Sequence, residues 1–308
     1  MLLLLATALL CTESQPTAVE WERARSAPRS YASDFFVFIG ECEGRRAVFA
    51  ADFNRGKKDS KAQNEQWFVL HIEKQGWAEL AGGGEYKVKG AEPLALRDSA
   101  QYSFSGDDAQ GWTLKGSAQH PGLSTQALQA RSAQRNEKGV FLRSSGPAAL
   151  TWKDRTYVGA ALREFTLLPG MNLISDPDAG LFGDGWNGLY ALRGRGDKAE
   201  LVVFHQTGGE LKSLLNPCTG FVATSPTLEL AKANFRADAW EQAAGFFRWP
   251  GRWRVDPLPN SGRIEVKLEE RDTLISWVVG GACVAIARGE MQLADQKLEL
   301  YGLAQVVR

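Results

Sequence analysis

The sequence predicts a mostly β protein made of two tandem antiparallel β-barrels. Three observations point there: short apolar runs broken by glycine turns, an excess of glycine and tryptophan, and a hairpin pattern that recurs half a chain later. The 308 residues hold 32 glycines and 10 tryptophans, against only 3 methionines and 3 histidines. That mixture suits tight turns and short strands around a wide apolar interior. Lys+Arg and Asp+Glu both total 36, and the resulting zero net charge argues against a nucleic-acid partner, which calls for a basic excess. Hydrophobic content of 44% and charged content of 23% belong to a folded globular chain rather than a disordered one.

The chain opens with the apolar run Leu2 to Leu10. It has the length of a secretory h-region, about 7–15 residues, and falls far short of the roughly 20 needed to span a bilayer. Residues 1–24 read as a leader, and the protein as exported: periplasmic, secreted, or held at a membrane surface by a lipid on Cys11. No Lys or Arg precedes the run and Leu10 is bulky beside Cys11, so an apolar start on a cytoplasmic chain is the competing reading. Residues 25–170 are assigned to the first barrel and 171–308 to the second.

Within the first barrel, Phe35 to Ile39 and Ala47 to Ala50 flank a turn at Glu43 and Gly44, a β-hairpin signature. Trp67 to Ile72 is another strand, and Gly82 to Gly84 a break. Tyr102 to Phe104 and Trp112 to Leu114 alternate at period 2, as half-buried strands do. Helical periodicity is scarce. Ser124 to Gln134 fits a helix or an extended strand equally, and Ala231 to Ala244 fits a helix. Phe38, Gly44 and Ala47 recur as Tyr190, Gly196 and Ala199, at an offset of 152 residues. Tyr102 and Gly111 recur as Trp253 and Gly262, at an offset of 151. Two pairs at nearly one spacing indicate tandem duplication of a β-domain, whose closure into a barrel removes exposed strand edges.

Familiar catalytic motifs are absent. The sequence holds no G-x-S-x-G elbow, no P-loop and no H-E-x-x-H. His71, His120 and His205 are widely separated, so neither a metal site nor a cofactor is expected, and each histidine reads as structural. Gly194 to Ala199 matches the loose dinucleotide pattern G-x-G-x-x-A, but a strand, Glu200 to Phe204, follows where a helix N-terminus is required. The same segment contains an Arg195-Gly196-Asp197 triplet, too short to signify. Cys11, Cys42, Cys218 and Cys283 form no C-x-x-C pair and read as isolated thiols, with a Cys218–Cys283 bridge open to an exported chain. Asp176, Asp178 and Asp184 alternate with Gly180, Gly183 and Gly185. Without a closing bidentate Glu this is either a solvated turn or a set of acids at a pocket mouth.

The ordered series of segments also carries a resemblance. It runs from the aromatic hairpin Phe35 to Phe49, through Asp176-Pro177-Asp178-Ala179-Gly180 and Gly185-Trp186-Asn187-Gly188-Leu189-Tyr190, to Arg248-Trp249-Pro250-Gly251-Arg252-Trp253. It ends in Gly281-Ala282-Cys283-Val284 and Leu298-Glu299-Leu300-Tyr301-Gly302. This series resembles the lipocalin-like tandem-barrel proteins that include carotenoid 1,2-hydratase (hydroxyneurosporene synthase) and AttH-like secreted proteins. Pro177 and Ala179 stand where that family has His and Trp. The resemblance implies two lipocalin-like barrels and an apolar pocket for a terpenoid, polyene or lipid-like molecule. Trp186, Tyr190, Trp249, Trp253 and Trp277 are the rings expected beside that ligand, since they offer flat apolar area and can stabilise a cation on a polyene. The pocket is expected at the mouth of the second barrel or the junction of the two. Binding is the first functional reading. The second is hydration, isomerisation or cyclisation of such a molecule, with Asp176 or Asp178 as the acid. A scaffold with side chains filling both barrels is the third.

Overall fold

The computed structural model describes residues 15–59, 61–85, 92–117, 119–174, 186–196, 199–207, 218–224, 226–230, 233–242, 248–276 and 281–307. The chain divides into two compact units, residues 1–180 and 181–308. Both are curled antiparallel sheets, the two tandem lipocalin-like barrels that the sequence predicts.

The first unit holds β1 (Arg29–Cys42), β2 (Arg45–Lys58), β3 (Lys61–Ile72), β4 (Gly76–Glu85), β5 (Tyr102–Asp107), β6 (Gly111–Gly116), β7 (Gly122–Thr125), β8 (Gln129–Asn136), β9 (Gly139–Trp152) and β10 (Arg155–Pro169). Their order is β4-β3-β2-β1-β10-β9-β7-β6-β5, with β8 on β9. The turn between β1 and β2 has Glu43 at φ 50° and Gly44 at φ 72°, the two left-handed residues of a tight hairpin turn. Glycine meets that requirement without strain. The Gly82 to Gly84 stretch does not break its strand. It lies inside β4 where the register shifts, with Gln66 opposite Gly84 but Phe68 opposite Ala81. Extra residues on one strand make a bulge, not an end.

The second unit holds β11 (Trp186–Arg193), β12 (Glu200–Thr207), β13 (Cys218–Val222), β14 (Leu228–Glu229), β15 (Asn234–Asp238), β16 (Glu241–Gln242), β17 (Arg248–Trp249), β18 (Arg252–Leu258), β19 (Gly262–Ser276), β20 (Gly281–Leu293) and β21 (Gln296–Val307). Nine of these form one sheet, β14-β13-β12-β11-β21-β20-β19-β18-β15, and β16 pairs with β17. The expected helix at Ala231 to Ala244 is not present in its described part. Asn234–Asp238 is a strand of alternating burial, and Phe235 stacks on Phe204 at 6.1 Å and meets Trp253 at 5.3 Å. Period-2 burial of one aromatic overrides the local helical tendency. Likewise Ser124 to Gln134 resolves into parts of β7 and β8. The glycine segment after Arg193 leads into β12 and is a hairpin turn.

Strand by strand the two sheets have the same order, and the first strand of each unit pairs with its last. The residue equivalences drawn from the sequence need correction. Phe38 belongs to the inner cluster of the first barrel, whereas in β11 the inner residues are Leu189 and Ala191, leaving Tyr190 on the opposite face. A one-residue slip exchanges the faces because side chains alternate with period 2. Tyr102 lies on the edge strand β5, while Trp253 lies on β18, which occupies the place of β6.

One element went unread in the sequence. Helix α1 (Ala18–Ser26) covers seven residues assigned to the leader. Thr17 and Glu20 close a reciprocal capping box at its start. Arg135 pairs with Glu20 at 2.5 Å, and the Trp21 ring meets Phe165 at 5.8 Å. Ala24 then packs with Ala32, Leu94, Val140, Leu142, Phe165 and Leu167.

Candidate active site

The inner face of the first barrel is layered, as inward residues two apart show. Along β1, Ala32 joins the cluster under the helix, Asp34 follows, and Phe36 and Phe38 join a second apolar cluster. Along β10 the same succession is Phe165, Arg163 and Ala161. The charged layer between the two clusters is a linked network of ion pairs and hydrogen bonds. Arg163 donates from Nε to Asp34 Oδ1 at 2.7 Å and from Nη1 to Asp108 at 3.2 Å. Arg55 also binds Asp34. Ser144 and the Trp112 indole donate to Asp108 at 2.5 and 2.6 Å. Burial would raise Asp34, but the guanidinium groups of Arg163 and Arg55 outweigh it and hold its carboxyl below the usual value. Two acids face two guanidinium groups, so the layer is neutral as a whole. Asp34 is thereby held in its charged, paired form.

The other face of the same strands differs. Two successive cross-strand rows meet there. Trp67, Asp52, Phe35, Glu164 and Arg143 lie opposite one another across β3, β2, β1, β10 and β9. Glu65, Asn54, Ser33, Thr166 and Phe141 form the next row. Arg143 and Glu164 neutralise each other at 2.9 Å. Among the described residues Asp52 has no such cation in contact. It accepts hydrogen bonds from the Ser33 hydroxyl at 2.5 Å, the Trp67 indole at 3.1 Å and the Asn54 amide at 3.3 Å. Tyr31 in turn donates to Asn54 Oδ1. The Phe35 and Trp67 rings lie 5.4 Å apart.

These surroundings set the proton affinity. Burial pushes Asp52 up to about 6, against the hydrogen bonds from Ser33, Asn54 and Trp67 and the more distant charge of Arg55, which pull it down. Burial, then the charge of Asp52, also push the Tyr31 phenol well above its ordinary value. Asp52 and Asn54 are half-buried, whereas Tyr31, Ser33, Phe35 and Trp67 are buried. The result is a carboxylic acid poised near neutrality and bordered by aromatic rings. Such an environment suits general acid–base work.

The residues singled out in the sequence fall in different places. Asp176, Asp178 and Trp277 lie outside the described residues. Trp249 and Trp253 are buried in the apolar core of the second barrel. Trp186 and Tyr190 lie on the opposite face, with ring centroids 4.4 and 5.2 Å from His205. Trp186 and Trp253 therefore belong to opposite faces of the sheet and do not line one cavity. Trp249 does line a cavity of about 250 Å³, together with Glu241, Gln242, Arg271, Asp272, Thr273 and Cys283. Its walls are largely polar, with Arg271 paired to Glu241, which does not suit a terpenoid. The Cys218 and Cys283 thiols are free, and burial pushes Cys283 up to about 12, so it is an inert core thiol.

No protein-family model matches the sequence, and no curated protein matches it. Solved structures do match its fold. A protein described as an AttH from Nitrosomonas europaea superposes with a TM-score of 0.55 at 13% identity, covering 91% of this chain and 93% of that one. Kievitone hydratase from Nectria haematococca gives 0.61 at 10% identity over 97% and 92% of the two chains. CghA, solved with Sch210972, gives 0.52 at 10% identity over 91% and 88%. The chain thus has the tandem-barrel fold of these proteins, and the AttH-like resemblance of its sequence extends to the structure. At such identities the likeness is one of fold, and function has to be argued from the site.

Proposed function

We propose that the protein binds an apolar, unsaturated small molecule against the Asp52 face of the first barrel and carries out acid-catalysed water addition or cyclisation on it. The observation that carries this reading is a half-buried carboxyl raised to about 6 beside Trp67, Phe35 and Tyr31. In hydration the Asp52 proton adds to one alkene carbon, leaving a cation on the other. The aromatic faces stabilise that cation while it lasts. A water then bonds to the cation and returns one proton to the Asp52 carboxylate, so that alkene and water yield an alcohol and the acid is restored. Cyclisation replaces the water with an internal π bond, and the final proton again returns to Asp52. Ser33 and Asn54 steady the carboxylate form through their hydrogen bonds. A neighbour of the same fold bears the name of a hydratase, which agrees with this chemistry.

We further propose that the chain is exported, on the strength of the apolar run Leu2 to Leu10. Fractionation of the native host tests this. Among the described residues no helix is long and apolar enough to cross a membrane.

The chemical test uses a panel of terpenoid, polyene and phenolic alkenes in ¹⁸O-labelled water, read by mass spectrometry for labelled alcohol and for isomeric cyclised product. Wild-type protein should turn over at least one of them. Asp52→Asn should lower the rate by about a hundredfold or more while leaving binding within severalfold, since a positioned acid contributes 10²–10⁴. Saturable binding of panel members without any turnover would reduce the protein to a carrier. Unchanged turnover in Asp52→Asn would remove Asp52 from the mechanism.

A further inference from the structure

The inner face of the first barrel carries a second polar constellation, separate from both the ion network and the Asp52 face. His120 lies in the loop between β6 and β7, and its Nδ1 sits 3.2 and 3.3 Å from the two carboxylate oxygens of Glu79 on β4. Glu79 can only accept there when ionised, which places the neutral ring's proton on Nδ1 and leaves the Nε2 lone pair open. Nε2 has no hydrogen-bond partner among the described residues. The loop is held close by Gly116, where a Cβ would stand 2.4 Å from the His120 carbonyl oxygen.

Tyr102 lies against the same ring. Its centroid is 5.9 Å from that of His120 with the planes 29° apart, and Phe68 closes the group at 4.8 Å from His120 and 5.5 Å from Tyr102. Tyr102 is 1% exposed, yet its hydroxyl meets no partner among the described residues. An unpaired buried hydroxyl is costly, and phenylalanine would fill the same space without that cost. Gln66, also buried, binds Gln101 through its amide nitrogen at 2.6 Å and leaves its oxygen unpaired. The Tyr102 hydroxyl and the open His120 Nε2 thus set a phenolic donor and an acceptor on two rings in contact, with Phe68 beside both.

We propose that this cluster is a binding site for a small hydroxylated aromatic molecule. One hydroxyl group satisfies both sides of it: the ligand O–H donates to His120 Nε2, and the ligand oxygen accepts from the Tyr102 hydroxyl. Glu79 is a positioning residue that fixes the imidazole tautomer. The site is independent of Asp52, so either proposal can fail without the other.

4-Nitrophenol, titrated into the full-length protein and followed by calorimetry and by ¹⁵N shifts of the His120 ring, tests the site. The expected result is one saturable site with a shift at Nε2. Tyr102→Phe should weaken it about tenfold, the worth of one hydrogen bond to a polar group. His120→Gln should weaken it at least as much, and Asp52→Asn should leave it unchanged. Tyr102→Phe removes a single oxygen and is expected to melt no lower than wild type, which keeps the comparison interpretable. Absence of saturable binding, equal binding by both variants, loss of binding in Asp52→Asn, or a crystal structure showing only an internal water on the Tyr102 hydroxyl would overturn the proposal.

Discussion

The two barrels share a strand order but not an interior. Among the described residues, the second holds one continuous apolar cluster that runs from Leu189 through Trp249 and Trp253 to Val306. The first is split by the layer of Asp34, Arg55, Asp108 and Arg163, with the helix-capped cluster on one side and the Phe36–Tyr157 cluster on the other. A shared topology thus leaves the inside free to differ, because each inward position of a strand is chosen independently. Polar chemistry has concentrated in the first barrel. There, charged and polar groups are already buried, many of them paired, and a carboxyl such as Asp52 can be shifted by its surroundings.

The largest expected effect comes from breaking the charged layer. Arg163→Leu leaves Asp34 and Asp108 short of a cation in a buried layer, and should cost about 3–5 kcal/mol in urea unfolding. A loss below about 1 kcal/mol would mean that water reaches the layer.

Acid separates the barrels next. Asp34 has a folded value below its unfolded one, so its stabilisation is fully present above about 3.9 and is lost as pH falls through the lower folded value. Asp52 has the opposite sign. With a folded value of about 6, it binds its proton more tightly when folded, so stability falls as pH rises from about 4 through 6. Hydrogen exchange followed by residue should show both dependences in strands β1, β2 and β10. Asp52→Asn should abolish the one between pH 4 and 6 and keep the other. An equal response in β11 and β12 would contradict the contrast.

The smallest effect is expected in the second barrel. The Trp253 indole N–H is buried without a partner among the described residues. Trp253→Phe removes that unpaired donor along with part of the packed ring, so the two changes oppose each other. The net loss should be about 1 kcal/mol by denaturant unfolding, against about 3–5 for a full truncation to alanine. A loss as large as that from truncation would show the indole N–H to be bonded after all.

Much of the architecture is legible in the sequence. The Glu43-Gly44 turn, the Trp67 strand and the repeated opening hairpin all follow from local chemistry and period-2 patterning. What failed were readings that depend on a single residue of register or on distant partners. Tyr190 aligns with Phe38 in the sequence, yet one residue of slip puts them on opposite faces. The helix at Ala18–Ser26 shows in the sequence only as the capping box of Thr17 and Glu20, next to a stretch with the look of a leader. The tryptophans drew attention because they are numerous, but number does not say which way a ring points. Asp34 and Asp52 each sit beside phenylalanine in an apolar strand, and that is the usable signal. An acid within such a run must find a partner or shift its proton affinity. Which of the two happens depends on Arg163, 129 positions away from Asp34 in the chain. No local pattern contains that.

The most direct measurement is a ¹³C NMR titration of the Asp52 side-chain carboxyl in the intact protein, assigned with Asp52→Asn. The environment of Ser33, Asn54, Trp67 and Tyr31 predicts a midpoint near 6. A midpoint near 3.9, the ordinary value for aspartate, would contradict the role of Asp52 as the proton donor.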